Sequence, residues 1–313
     1  MDLRTLRAFA EVVRQGGFSR AAKTVFATQS TVSKAVKALE EEIGLPLLDR
    51  AGAGPSLTAA GEIVFRRAVA MLAERDSLIG ELAELRGLKR GTLRLGLPPI
   101  GSNTLFAPAF AIYRRRYPGI DIRLVEQGSK SLEELVLSAD LELAACLLPV
   151  GDEFEWQDVT REPVDLLLAT GHPLASRDQI TLAELADLPF ILFGEGFALN
   201  PIILEACRRS GFEPEIVTRS SQIDFIIELI ASGLGIGFLP RLIARQRAHA
   251  GVRHVSIADP AMVWHIALLW RRGNHLSHAA RAWLDLVREI HTAAVDGGAS
   301  IAHGASRSHE QDS

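Results

Sequence analysis

The sequence predicts an α+β multidomain protein: a winged helix-turn-helix at the N-terminus, a long helix, then an α/β domain. Three observations carry that prediction. From Phe18 onward, two short helical patterns flank a tight turn, and the second presents polar and basic side chains on its outer face. Two short apolar pieces around AGAGPS follow, the Gly/Pro signal of a small β-hairpin. Beyond a helical stretch over 58–86, short apolar strands alternate with helices, as in parallel sheets covered on both faces.

The head comes first along the chain. Leu3, Leu6, Phe9 and Val13 recur at helical spacing, so a first helix runs to about Gln15 and stops at Gly16-Gly17. Ser19 is a candidate cap for a second helix over 20–25, whose Ala21-Ala22 pair permits close helix approach. Thr28 is the candidate N-cap of the third helix. There Val32, Ala35, Val36, Leu39 and Ile43 gather on one side, and Ser30, Ser33, Lys34, Lys37 and Glu41 on the other. Gly44 is the expected C-terminal stop, and Pro46 prevents continuation.

The helix over 58–86 carries Val64, Ala68, Met71, Leu78, Leu82 and Leu85 in an alternating four–three seam, interrupted at Arg75. A single stripe that long buries itself against a partner helix, which predicts self-association. GLKRG (87–91) reads as a hinge. Strands are expected over 92–97, 121–126 and 141–148, with helices over 105–117 and 132–138. A second run has strands over 164–169, 190–192, 215–218 and 235–239, and helices over 202–210 and 221–231. Strands over 252–257 and 264–270 and a helix over 277–291 close the pattern. Residues from about Ala293 lack apolar periodicity and are expected to be a disordered tail.

Composition bounds the function. At 313 residues the chain exceeds one ordinary domain. Its 48% hydrophobic and 23% charged residues supply a core and exclude a disordered chain. A net charge of −4 excludes a uniformly basic nucleic-acid binder, but the charge is unevenly placed. Between Glu11 and Glu40 there is no acidic residue, while Arg14, Arg20, Lys23, Lys34 and Lys37 fall there. A confined basic patch is the footprint of a small DNA-binding module on a neutral body. The opening MDLRTLRAFAEVV lacks a signal-peptide layout, and no apolar run approaches the ~20 residues of a bilayer span. A cytoplasmic protein without membrane association is expected, with Cys146 and Cys207 as reduced core thiols.

The third helix carries the chemistry of recognition. Gln29, at its entrance, has the donor and acceptor for a bidentate contact to adenine, and Lys34 and Lys37 suit guanine acceptors or phosphates. Ser30, Thr31 and Ser33 are short enough for close backbone approach and for phosphate bonds at the helix N-terminus. Arg50, at the foot of the wing, is placed to hold a phosphate. On pattern alone, a merely solvated polar face in a small helical bundle remains the alternative.

These residues also carry a resemblance. The first 60 or so positions are similar to the N-terminal signature of the LysR-type transcriptional regulators, read here as Leu6/Phe9, Ala21-Ala22, Thr28-Gln29-Ser30 and Ser33-Lys34. It continues through Leu39-Glu40, Ile43-Gly44, Leu47-Leu48-Asp49-Arg50 and Leu57-Thr58-Ala59-Ala60-Gly61, with Leu48 where the family usually has Phe. The wing is poorer in Arg and Lys than in many members, which shifts DNA contact onto the recognition helix. The resemblance implies a DNA-binding head at 1–57, a linker/dimerisation helix and hinge at 58–90, and an effector-binding domain at 91–292. That domain is expected to be two-lobed and of periplasmic-binding-protein type. Lobe I would span about 91–161 plus 267–292, lobe II about 162–266, with the tail at 293–313. A homodimer or homotetramer on partly palindromic double-stranded DNA follows from the same resemblance.

Ligands of open α/β sheets bind beyond the carboxyl ends of the strands. That places effector-contact candidates at Ile100, Gly101 and Ser102 and at Gly128 and Ser129 in lobe I, and at Phe193, Phe197, Ser221 and Gln222 in lobe II. Hydroxyls and backbone amides suit a small, oxygen-rich, anionic effector; ordinary helix capping is the alternative role for each polar residue. Other signals are weaker. Gly233-Leu-Gly-Ile-Gly237 lacks a Lys-Ser/Thr and enters a strand, so it reads as close backbone packing. His275 and His278 lack a carboxylate or Cys companion, and no Ser/His/Asp set assembles. No metal, cofactor or catalytic residue is expected. An effector-responsive transcription regulator is therefore favoured over an enzyme with a fused head, a transporter's solute-binding protein, or an architectural DNA binder.

Overall fold

The computed structural model describes residues 1–49, 55–85, 91–274 and 276–304. The head is built from α1 (Leu3–Gln15), α2 (Phe18–Thr24) and α3 (Gln29–Ile43). Asp2 and Thr5 form a capping box at the start of α1, and Gly16 ends it in the left-handed region at φ 61°. Gly17, not Ser19, is the N-cap of α2: the glycine pair turns the chain early, Phe18 packs on the core, and Ser19 lies inside the helix. The Thr28 hydroxyl accepts from the Thr31 amide at 3.2 Å to start α3, and Gly44 ends it at φ 78°. Leu6, Phe9, Val12, Ala21, Ala22, Val32, Val36, Leu39 and Leu47 form one buried cluster.

A two-stranded wing follows, with β1 (Leu48–Asp49) antiparallel to β2 (Ser56–Leu57). Its base is tightly held. The Glu40 carboxylate accepts from the backbone amides of Leu47 (2.9 Å) and Leu48 (3.2 Å). The Thr58 hydroxyl donates to the Pro46 carbonyl at 2.7 Å and accepts from the Gly61 amide at 3.0 Å. A Cβ on Gly61 would stand 2.0 Å from the Leu47 carbonyl oxygen, so only glycine fits.

The linker α4 (Ala59–Leu85) has 27 residues, about 40 Å at ~1.5 Å per residue. Its first half is consumed by the head: Phe65 meets Phe9 edge-on at 6.5 Å, and Ala68 is buried in the head's cluster. Val69 joins Ala10 of α1 and Ala139 of the following domain in a second small cluster. Further along, Met71, Leu78, Ile79 and Leu82 remain exposed.

The C-terminal domain runs β3 (Gly91–Leu97), α5 (Ser102–Leu105), α6 (Ala107–Arg116), β4 (Ile120–Glu126), α7 (Ser129–Leu137) and β5 (Leu143–Leu147). It continues with β6 (Phe154–Ala169), β7 (Gln179–Ile180), β8 (Phe190–Phe193), α8 (Leu199–Arg209), β9 (Ile216–Ser220) and α9 (Ile223–Ala231). The last elements are β10 (Gly237–Pro240), α10 (Arg241–Gln246), β11 (Val252–Ile257), β12 (Val263–Arg271) and α11 (His278–Gly304). The main sheet has the order β4-β3-β5-β12-β6-β11-β7, with β10 also on β6, while β8 and β9 form a separate parallel pair.

Three expectations differ from the structure. The sheet is mixed rather than parallel: β3 pairs in parallel with β4 and β5, but β12 is antiparallel to β5 and β6, and β6 to β10 and β11. The antiparallel pairings are those made by β6, on which the chain crosses between lobes, and by β12, which follows the return. β6 pairs with β12 from Phe154 to Pro163 and with β10 and β11 from Val164 onward, so one strand serves both lobes. β12 pairs in lobe I from Val263, so the return crossing precedes Val263 instead of falling at 266/267. In addition, α11 continues to Gly304 where a disordered tail from 293 was expected. Residues 305–313 lie outside the described set. Close packing at the glycine run is confirmed: a Cβ on Gly235 would meet the Pro189 carbonyl at 2.6 Å.

Candidate nucleic-acid interface and effector cleft

α3 separates its two faces cleanly. Val32, Val36 and Leu39 are buried against α1 and α2, while Gln29, Ser30, Thr31, Lys34 and Lys37 are exposed and Ser33 is half-buried. The six lie on one helix, so the structure brings them together. Thr28, Ser30 and Thr31 share a hydroxyl cluster, with Thr28 Oγ1 2.9 Å from Ser30 Oγ and 2.8 Å from Thr31 Oγ1. Lys37 stands 3.5 Å from Glu41, and both side chains are largely exposed, so the pair is weak and open to exchange for a phosphate. Arg50, the remaining candidate, lies outside the described residues. Phe26 was not among the expected contact residues. It occupies the turn between α2 and α3 with φ 54° and is 98% exposed, an unusual conformation and an unusual environment for an aromatic residue. The signal available was a bulky residue in the helix-turn-helix turn.

The effector candidates divide. Ile100, Gly128, Ser129 and Phe197 share a small cavity between the lobes, about 20 Å³, with Pro98, Leu147, Leu199, Trp264 and Ile266. Gly101, Ser102, Phe193, Ser221 and Gln222 do not wall it. Gly101 is nevertheless essential to its shape: at φ 87°, its missing Cβ would lie 2.4 Å from the Trp264 ring. Two of the hydroxyls expected to contact a ligand are already engaged. Ser129 is buried and its Oγ accepts from the Leu147 amide at 3.2 Å; Ser102 Oγ donates to the Pro98 carbonyl. Phe193 points into the core and stacks on Phe197 at 5.2 Å, its backbone held at both ends by the Asn200 amide. Ser221 and Gln222 are exposed at the start of α9.

The residues that the sequence did not offer are mainly apolar walls, Trp264 and Ile266 from β12 and Leu147 from β5. Across the cleft the backbones nearly touch, since a Cβ on Gly128 would lie 2.3 Å from the Gly196 carbonyl. The two thiols take no part: Cys146 and Cys207 are free and buried, and burial pushes the Cys207 thiol up to about 11 and Cys146 higher still.

A winged helix-turn-helix joined by a long helix to a two-lobed α/β domain defines a DNA-binding transcription regulator with an effector-binding domain. The model of the bacterial regulatory helix-turn-helix proteins of the lysR family matches residues 3–62, and that of the LysR substrate binding domain matches residues 86–291. The chain belongs to the LysR family. A relative in Bacillus subtilis (strain 168), the uncharacterized HTH-type transcriptional regulator YwbI, is 37% identical over 91% of this chain and 95% of its own. A probable hydrogen peroxide-inducible genes activator of Streptomyces viridosporus is 32% identical, covering 90% of each chain. Full-length OxyR from Pseudomonas aeruginosa shares the fold with a TM-score of 0.74, at 24% identity over 92% of this chain and 95% of that one. The relatives are transcriptional regulators, not enzymes. Among the described residues, no helix is long and apolar enough to cross a membrane.

Proposed function

We propose that this regulator reads a partly palindromic operator through α3 and is controlled by a small molecule bound between the lobes of its C-terminal domain. The carrying observation is the polar face of α3, with Gln29, Ser30, Lys34 and Lys37 exposed over a buried Val32-Val36-Leu39 stripe. A helix so presented fits the major groove with its N-terminal side chains against base edges. Phe26 adds an exposed apolar contact beside it. The exposed Met71, Leu78, Ile79 and Leu82 of α4 support pairing into a homodimer or a homotetramer, which would match two-fold related half-sites.

For the effector, strand-end amides still favour an anionic group, while the walls of Ile100, Leu147, Phe197, Trp264 and Ile266 favour an apolar body. A cavity of about 20 Å³ accommodates a water-sized body only, so entry of a metabolite requires the lobes to part. A peroxide-sensing role, suggested by the name of the Streptomyces relative, fits this chain poorly. Reactive thiols are exposed and have lowered pKa values, whereas Cys146 and Cys207 are buried and raised.

The direct test selects operators from random DNA and compares Gln29→Ala and Lys37→Ala with the unaltered protein. Gln29→Ala should relax selection at one position per half-site, a bidentate base contact being worth ~1–3 kcal/mol. Lys37→Ala should lower affinity for all sequences and reduce the salt slope by about one. Equal loss by Gln29→Ala for every DNA would contradict base reading by α3.

A further inference from the structure

We propose a second ligand site, for a small multivalent oxyanion, at the seam where the head, α4 and lobe I meet. A cavity of about 300 Å³ opens there, at the lower end of the range of small-molecule sites. Arg7 and Arg14 of α1, Arg75 of α4, Arg94 of β3 and Arg123 of β4 line it, against only two carboxylates, Glu11 and Asp140. Among the described residues the lining therefore carries more guanidinium groups than carboxylates.

The ion pairs at the seam meet only part of that charge, and Arg75 also has a partner of its own. Both carboxylates are turned to Arg14, which lies 3.3 Å from Glu11 and 2.6 Å from Asp140. Arg123 is paired outward with Asp121 at 3.4 Å, an exposed and weak bridge. The Arg94 Nε is buried with no hydrogen-bond partner, a donor whose desolvation is uncompensated. Guanidinium forks match phosphate and carboxylate oxygens in bidentate geometry, and a polyphosphate or polycarboxylate has the charge to neutralise several at once.

None of these residues walls the cleft, so the site is separate from the effector site proposed above. Its occupant touches the DNA-binding head, the linker and lobe I together. The same seam is already closed by Val69 against Ala10 and Ala139 and by the Arg14–Asp140 bridge. A bound polyanion would favour the docked arrangement of head on lobe I and, by linkage, alter DNA affinity.

The test titrates full-length protein with pyrophosphate and with citrate, against sodium chloride at matched ionic strength, by calorimetry and thermal shift. Saturable binding of at least one probe is expected, weakened about tenfold by loss of one charge-assisted contact in Arg94→Gln or Arg7→Ala. Arg7 is exposed on α1, so its variant remains informative should Arg94→Gln fold poorly. Arg177→Ala, an exposed arginine of lobe II, should bind as the unaltered protein does. Which probe binds more tightly separates phosphate from carboxylate ligands. Identical affinities in all variants, or no binding beyond the chloride control, would overturn the site. A change of oligomeric size in Arg7→Ala without a change in pyrophosphate affinity would overturn it too, by showing that a second chain's carboxylates fill the cavity.

Discussion

Gly128 offers a way to prop the cleft open with one methyl group. It precedes α7 in lobe I with φ −64° and ψ 153°, an extended conformation that alanine adopts without strain. The effect of Gly128→Ala is therefore steric. Its Cβ would lie 2.3 Å from the Gly196 carbonyl oxygen in lobe II, whereas C···O contacts settle near ~3.3 Å. The two loops must separate by the difference, about 1 Å. Local yielding is hindered on the lobe II side: Phe197 is stacked on Phe193, and the Asn200 side chain holds the Gly194 carbonyl at 3.0 Å.

Overpacking of this kind costs ~1–3 kcal/mol. At ~2–4 °C per kcal/mol for a domain of this size, Tm should fall by about 2–12 °C. Differential scanning calorimetry reads that shift, and hydrogen exchange should locate it. The Leu147 amide, bonded to Ser129 across the cavity floor, and the amides at the start of α7 should lose protection. Trp264, buried in the closed cleft, should become accessible to acrylamide. An unchanged Tm with unchanged exchange at α7 would refute the idea that backbone contact between Gly128 and Gly196 sets lobe closure.

Two further outcomes follow from exposed apolar residues. Phe26→Asn should stabilise the head by about 1 kcal/mol or more, since asparagine tolerates the positive φ that strains phenylalanine, while lowering DNA affinity. Urea unfolding and fluorescence anisotropy check the two halves, and a variant that is less stable would count against strain at this turn. Leu78→Arg places a charge in the exposed stripe of α4 and should abolish self-association in sedimentation; an unaltered size would contradict pairing through that helix.

The head was legible because its signals are local. Val32, Val36 and Leu39 recur at helical spacing, and Thr28 and Gly44 cap the helix they bound. β6 shows the opposite case. Only its second part, Val164 to Leu168, is an unbroken buried run; from Phe154 to Pro163 only Phe154 and Val159 are buried, and the other positions are half-buried or exposed. Pro163 reads as a strand breaker, yet it sits where β6 exchanges β12 for β10 and β11. The cleft was located by strand ends but not characterised by them. That the Ser129 hydroxyl serves the Leu147 amide, or that Trp264 walls the cavity, depends on contacts between distant segments. For the same reason the arginine cavity could not be read from the chain, since its five guanidinium groups arrive on four elements.

Leu47 of the family signature has a mechanical meaning. Its amide is held by Glu40 of α3, its carbonyl accepts the Thr58 amide at 3.1 Å, and its side chain is fully buried. Gly61 of α4 packs against the same carbonyl so closely that no side chain is tolerated. α3 and α4 thus share one fixed point at Leu47. A rotation of α4 must carry Leu47, and through Glu40 the C-terminal end of α3, with it. Because α4 also contacts lobe I through Val69 and Ala139, a change at that seam has a short, stiff route to α3, the helix proposed to read DNA.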